Sequence, residues 1–279
     1  MSKLKVSELF YSIQGEGRYV GVPSVFLRLF GCNFTCAGFG MGLGSKSDER
    51  NKIPANVYTH YTDLPLVSTG CDSYASWDPR FKHLSPTISS KELASSIVDL
   101  LPNKNFVDEH LVITGGEPLL PGWQKALPDL LEEESLQSLK EITFETNGTQ
   151  PLSPEFINYL QDWNKVGREI TFSVSPKLSV SGERWVDAIK PECVAEYETV
   201  GYTYLKFVVA SRYDAAEAQR ATSEYRKVGF EGPVYLMPVG GTEESYYLNN
   251  KQVAELALKL GYRYSPRLQV DLFGNAWNT

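Results

Sequence analysis

Apolar positions along the chain gather into short, nearly continuous runs: "SVFLRLF" (24–30), "HLVITG" (110–115), "EITFET" (141–146), "EITFSVS" (169–175), "TYLKFVV" (203–209), "VYLMPV" (234–239) and "RLQVDLF" (267–273). Runs of this length predict strands covered on both faces. Between several of them apolar residues return every three to four positions, most clearly over 89–101, 212–229 and 250–261, which predicts helices. Ser89 and Ser90 stand where a helix would be capped, and Gly229 and Gly261 where helices would end. The alternation predicts an α/β protein with a parallel sheet, either a βα barrel or an open sheet. Neither a repeat nor a linker divides the chain, so one domain over 1–279 is expected.

One stretch breaks the rhythm. Residues 37–70 are rich in Gly, Ser, Asn and Pro and hold neither period, so a loop insertion is expected at about 38–70. Loops this long inside a domain are uncommon and tend to be functional or disordered. Its Tyr58, His60 and Tyr61 are candidates for covering a site or meeting an electron donor, with a solvated loop as the alternative.

Charge changes the picture by exclusion. Lys and Arg (27) are outnumbered by Asp and Glu (34) and form no long run, which argues against a nucleic-acid partner. No segment approaches the roughly 18 apolar residues of a membrane span, and "MSKLKVSELFYS" has no apolar signal core. A cytoplasmic protein acting on a small molecule is expected. In a reducing compartment, four cysteines read more readily as metal ligands or buried apolar residues than as disulfides.

Two of them, Cys32 and Cys36, follow the run 24–30, at the strand end where βα folds build their sites. A third ligand would fall at position 39, but Phe39 stands there. Setting aside 38–70 joins Cys36 to Cys71 and yields a C-x3-C-x2-C triplet ending in Cys71-Asp72-Ser73. Three thiolates on one loop would bind a 4Fe-4S cluster and leave one iron open to a small ligand. The bland alternative is a set of unrelated buried cysteines. Another is a zinc module, whose fourth ligand would be a distant His or Cys193. Cys193 is isolated in "KPECVAEY" and is read as structural. In "ITGGEP" (113–118) two glycines follow a strand directly, where absent side chains let backbone approach a ligand.

Together the cysteine triplet and the glycine pair resemble the radical S-adenosylmethionine enzymes. The segments "FYSIQGEG" (10–17), "TGGEPLL" (114–120), "ETNGT" (145–149), "SVSPK" (173–177), "LMPVGG" (236–241) and "RLQVDLFGN" (267–275) narrow the resemblance to the 7-carboxy-7-deazaguanine synthases of the queuosine pathway. It covers essentially everything except 38–70. It implies a shortened TIM-like βα barrel and a lyase that converts 6-carboxy-5,6,7,8-tetrahydropterin to 7-carboxy-7-deazaguanine with loss of ammonia.

The site residues follow from that resemblance. Cys32, Cys36 and Cys71 would carry the 4Fe-4S cluster, and Ser73 would ligate Mg2+. S-adenosylmethionine would be held by Asp72, by Gly115, Gly116 and Glu117, by Ser175, Pro176 and Lys177, and by Met237 and Pro238. Substrate would meet Ile13, Gln14, Gly15, Glu16 and Thr114, with Arg28 offering a fork to its carboxylate. A flavodoxin or ferredoxin as electron donor and a homodimer are further implications. The runner-up enzyme reading is a glycyl-radical activase-like protein acting on a polypeptide, which leaves "IQGEG" without a task.

Overall fold

In the computed structural model, which describes residues 2–279, the apolar runs become a nine-stranded sheet. Its strands are β1 (Lys3–Ile13), β2 (Pro23–Leu29), β3 (Thr87–Ser89), β4 (His110–Gly115), β5 (Glu141–Thr146), β6 (Glu169–Val174), β7 (Tyr202–Val209), β8 (Val234–Pro238) and β9 (Arg263–Tyr264). The order is β3-β1-β2-β4-β5-β6-β7-β8-β9. β1 runs antiparallel to both neighbours, and every pair from β2 onward is parallel. β3 and β9 do not pair, so the barrel is partial. Its ends are nevertheless drawn together: Leu268 N donates to Gly15 O at 3.0 Å, and Gly17 N to Ser265 Oγ at 2.8 Å.

Helices return the chain between parallel strands: α1 (Ser90–Leu100), α2 (Pro121–Leu131), α3 (Pro154–Lys165), α4 (Trp185–Ala188), α5 (Pro191–Glu198), α6 (Arg212–Lys227), α7 (Glu243–Tyr247), α8 (Asn250–Leu260) and α9 (Leu268–Phe273). Ser89 caps α1 in a reciprocal box with Glu92, and Gly261 ends α8 at φ 67°.

Strand periodicity creates the site. Leu27, Ile113, Phe144 and Phe172 lie side by side in register and pack outward into the main core. Each such side chain gains about 1.5–3 kcal/mol from burial. Their neighbours one residue on, Arg28, Thr114, Glu145 and Ser173, face a cavity enclosed by the sheet. The runs were expected to be covered by apolar packing on both faces. The inner face is instead polar, because it lines a binding site. At its far end the Tyr19 hydroxyl bonds Thr171 Oγ1 at 3.0 Å, and the Tyr19 ring lies 4.4 Å from that of His110.

Three expectations change. Residues 267–273 are not a strand: 268–273 form α9, stopped by Gly274 at φ 61°. β1, long and central to the site, had no predicted counterpart. Residues 38–70 are not a structureless loop, because Ile53, Tyr61, Leu64 and Val67 pack with Tyr74, Ala75, Phe81 and Leu84 in a small second core. The C-terminal Trp277 seals it, edge-on to Tyr61 at 4.9 Å and donating Nε1 to Leu64 O at 2.7 Å.

Candidate active site

The cavity, about 550 Å³, opens at the C-terminal ends of the parallel strands. The structure brings nearly all the sequence-predicted residues to its wall: Ile13 to Glu16 from the end of β1, Arg28 from β2, the three cysteines, Asp72 and Ser73, Thr114 to Gly116, Ser175, Lys177, Met237 and Pro238. Glu117 and Pro176 do not reach it. Glu117 is fully buried behind the wall, where its carboxylate accepts from Leu119 N, Thr146 Oγ1 and Asn147 N at 2.7–2.9 Å. It holds the Gly115–Gly116 turn against the "ETNG" turn.

The cysteine loop leaves β2 and is held on three sides. Glu183 Oε1 accepts from Thr35 N and Cys36 N, at 3.0 and 2.8 Å. Gly38 N donates to Ser181 O, and Asn33 bonds both Asn147 and Thr149. Cys36 takes φ 47°, an uncommon value for a residue with a side chain and one that marks functional strain. On the facing side a Cβ at Gly116 would stand 2.7 Å from the Cys32 Cβ, so only glycine lets the two segments meet. Residues 38–70 are clasped where they leave and rejoin the cysteine loop. Ser47 N donates to Ala37 O and Gly70 N to Phe39 O, both at 2.7 Å. Glu49 gathers the backbone N–H groups of Ser68 and Thr69. This neck returns Cys71 to the loop that carries Cys32 and Cys36.

The three thiols line one wall, with Lys177 on the same cavity. Burial pushes the Cys32 thiol up to about 12 and raises Cys36 and Cys71 as well, while Lys177 pulls all three back. Thiols in that state become ligands when a metal supplies the missing charge, so the donor set fits an iron–sulfur cluster. Among the described residues no three His, Cys, Asp or Glu side chains converge on a single-ion geometry. Cys193 lies on α5 and packs against the main core, away from the cavity.

Opposite the thiols stands a charged lattice that the sequence reading found only in part. Glu16 accepts from Lys206 on Oε2, and from Arg267 (3.2 Å) and Gln269 (2.8 Å) on Oε1. Burial pushes the Glu16 carboxyl up, but Lys206 and Arg267 outweigh it and hold it at about 2. Arg267 also bonds Asp72 at 2.7 Å, tying α9 to the cysteine segment. Gln14 Nε2 and Thr114 Oγ1 both donate to Glu145, at 3.1 and 3.0 Å. Arg28 is held from behind by Glu8 (Nε to Oε2, 2.7 Å) and reaches Ser73 Oγ with Nη1 at 3.2 Å. Burial raises the Glu8 carboxyl, with Arg28 opposing. Glu8, Glu145, Lys206 and Arg267 were missed. The signal available was a charged residue placed inside an otherwise apolar strand run, as in "YLKFV" and "ITFET".

No protein-family model matches the chain. It is similar to the 7-carboxy-7-deazaguanine synthase of Halobacterium salinarum, 31% identical over 99% of this chain and 93% of the relative. The Pyrobaculum aerophilum protein of the same name is 30% identical over 98% and 96%. In fold, the chain is similar to the crystal structure of QueE from Escherichia coli, with a TM-score of 0.52, 19% identity, and coverage of 95% and 93%.

Proposed function

The chain belongs to the 7-carboxy-7-deazaguanine synthase family, and from that premise we propose that it converts 6-carboxy-5,6,7,8-tetrahydropterin to 7-carboxy-7-deazaguanine with release of ammonia, as a radical S-adenosylmethionine enzyme of the queuosine pathway. The observation that carries this reading is the polarity of one cavity: three thiols on one wall, an arginine and a carboxylate–amide lattice on the other.

Cys32, Cys36 and Cys71 would hold the 4Fe-4S cluster. Gly115, Gly116, Ser175 and Lys177, with Asp72, Met237 and Pro238, would hold S-adenosylmethionine beside it. When bound, this pair supplies one-electron cleavage of the sulfonium and hence a radical able to abstract a hydrogen. The chain's own residues orient the substrate. Arg28 is fixed by Glu8, and its Nη2 makes no hydrogen bond to the described residues, which suits a substrate carboxylate. Gln14, Thr114 and Glu145 present alternating donors and acceptors to a pterin edge. Glu16, ionised and pinned by three donors, keeps a lone pair on Oε2 for a substrate N–H. Phe10, Phe26 and Val208 narrow the floor and exclude water. A polypeptide substrate would leave Gln14 and Glu16 unused.

Further parts of the reading are Mg2+ at Ser73, a flavodoxin or ferredoxin as reductant, a homodimer, a cytoplasmic location, and one domain over 1–279 with an insertion at about 38–70. Mg2+ takes few protein ligands and keeps several waters, so one hydroxyl beside a substrate carboxylate suffices. Among the described residues no helix is long and apolar enough to cross a membrane. Product analysis tests the whole. Reconstituted, reduced protein is incubated with S-adenosylmethionine, Mg2+ and 6-carboxytetrahydropterin, and the deazaguanine acid is expected. Cofactor cleavage without that product would remove the substrate assignment.

A further inference from the structure

Trp77 enters none of the roles above. Its indole lines the cavity, and its Nε1 is buried without a hydrogen-bond partner at full geometry. A buried N–H left unpaired is costly, and this one, unlike that of Trp163, belongs to a residue on the cavity wall, where a ligand-bound acceptor can satisfy it. The Cys71 sulfur lines the same cavity as that indole, which makes it the candidate acceptor. A metal-bound thiolate is a stronger acceptor than a thiol.

The ring is not free to turn away. The Arg50 guanidinium stacks over it at 4.7 Å from the centroid, and Arg50 is anchored by the buried Asp78 at 2.6 Å. Asp78 in turn accepts from Arg80 at 2.7 Å. Arg50 belongs to the inserted segment, so that segment reaches the cluster side of the site through one indole.

We propose that the Trp77 indole N–H donates to the Cys71 sulfur when that sulfur ligates the cluster, that Arg50 of the inserted segment holds it there, and that this bond sets the cluster's reduction potential. The proposal rests on Cys71 being a cluster ligand. Hydrogen bonds to cluster sulfurs stabilise the reduced, more negative form and so raise the potential. Trp77 is a positioning residue: it touches neither substrate nor reacting atoms.

Trp77→Phe keeps a stacking ring under Arg50 and removes only the donor. In the reconstituted holoprotein, at full iron and sulfide content, its midpoint potential is expected to shift negative of wild type. Trp163→Phe, which removes a buried, unpartnered indole N–H from α3, is expected to leave the potential unmoved. An unchanged potential in Trp77→Phe with a full cluster overturns the proposal. Should that variant hold no cluster, the wild type decides. Pulsed paramagnetic resonance on reduced holoprotein carrying nitrogen-15 indoles is expected to show nitrogen and exchangeable-proton couplings, and their absence overturns the proposal. Cys71→Ala separates the two layers. An intact cluster in that variant removes the ligand reading itself. A lost cluster there, with an unmoved potential in Trp77→Phe, removes only the role of Trp77.

Discussion

Glu16 is held by more positive charge than it carries, and the consequence is a pH dependence with a definite sign. Its folded pKa, about 2, lies below the roughly 4.3 of a free glutamate, so its contribution to stability is full above the unfolded value and is lost as pH falls toward 2. Urea unfolding of wild type and Glu16→Gln is expected to differ above about pH 4.5 and to converge in acid; a constant gap would mean the lattice does not bind the ionised form. Arg28 offers a different test. Lysine keeps the charge and loses the fork. Arg28→Lys should raise KM by about 10- to 150-fold, the worth of a charge-assisted bond of about 1.5–3 kcal/mol, with iron content unchanged. Iron loss would assign Arg28 to scaffolding. Residue identities of this kind were legible where a motif named them, as with Gln14 and Glu16. Lys206 and Arg267 were not, because their partner Glu16 lies 190 and 251 positions away and only the fold brings them together.

At the scale of elements, the site depends on two turns meeting: the cysteine loop after β2 and the Gly115–Gly116 turn after β4. A methyl at Gly116 would lie 2.6 Å from Gly31 C and 2.7 Å from Cys32 Cβ, and overpacking of this kind costs about 1–3 kcal/mol. Gly116→Ala is therefore expected to lower iron incorporation on reconstitution while far-ultraviolet circular dichroism stays that of the wild type. Cys71→Ala should abolish the intact cluster and cofactor cleavage, and Cys193→Ala neither, read by iron and sulfide analysis with paramagnetic resonance. The parallel strands and the helices at 90–100, 212–227 and 250–260 were legible because each carries one unbroken period. Residues 267–273 misled because Leu268, Val270 and Leu272 alternate, and six residues are too few to separate a period of 2 from one of 3.6. β1 hid because Ser7 and Glu8, buried for function, interrupt its apolar pattern.

Across the whole molecule, the last residues and the segment 38–70 pack into one structure, although they lie far apart in the sequence. Trp277 bridges them through Tyr61, Tyr74 and Leu64, and Asn278 N reaches Glu8 Oε1 at 3.1 Å. Trp277→Ala should cost about 3 kcal/mol, the lower end for a large aromatic, and expose 38–70 to limited proteolysis before the barrel is cut. Resistance equal to wild type would show that the small core stands without the tail.

The clasped neck of the inserted segment has a consequence for how the chain can change. Loop closure grows dearer by about 0.6 kcal/mol per doubling of length, so if Cys71 is the third ligand, an excursion of 34 residues before it, against two in a compact motif, would cost an incoming metal about 2.5 kcal/mol were the chain slack. The bonds Ser47–Ala37 and Gly70–Phe39 meet that entropy during folding, before any metal arrives. Beyond the neck, the exposed surface of the segment is free to change over generations so long as Arg50 and the small core are kept, while Cys71 returns to the same place.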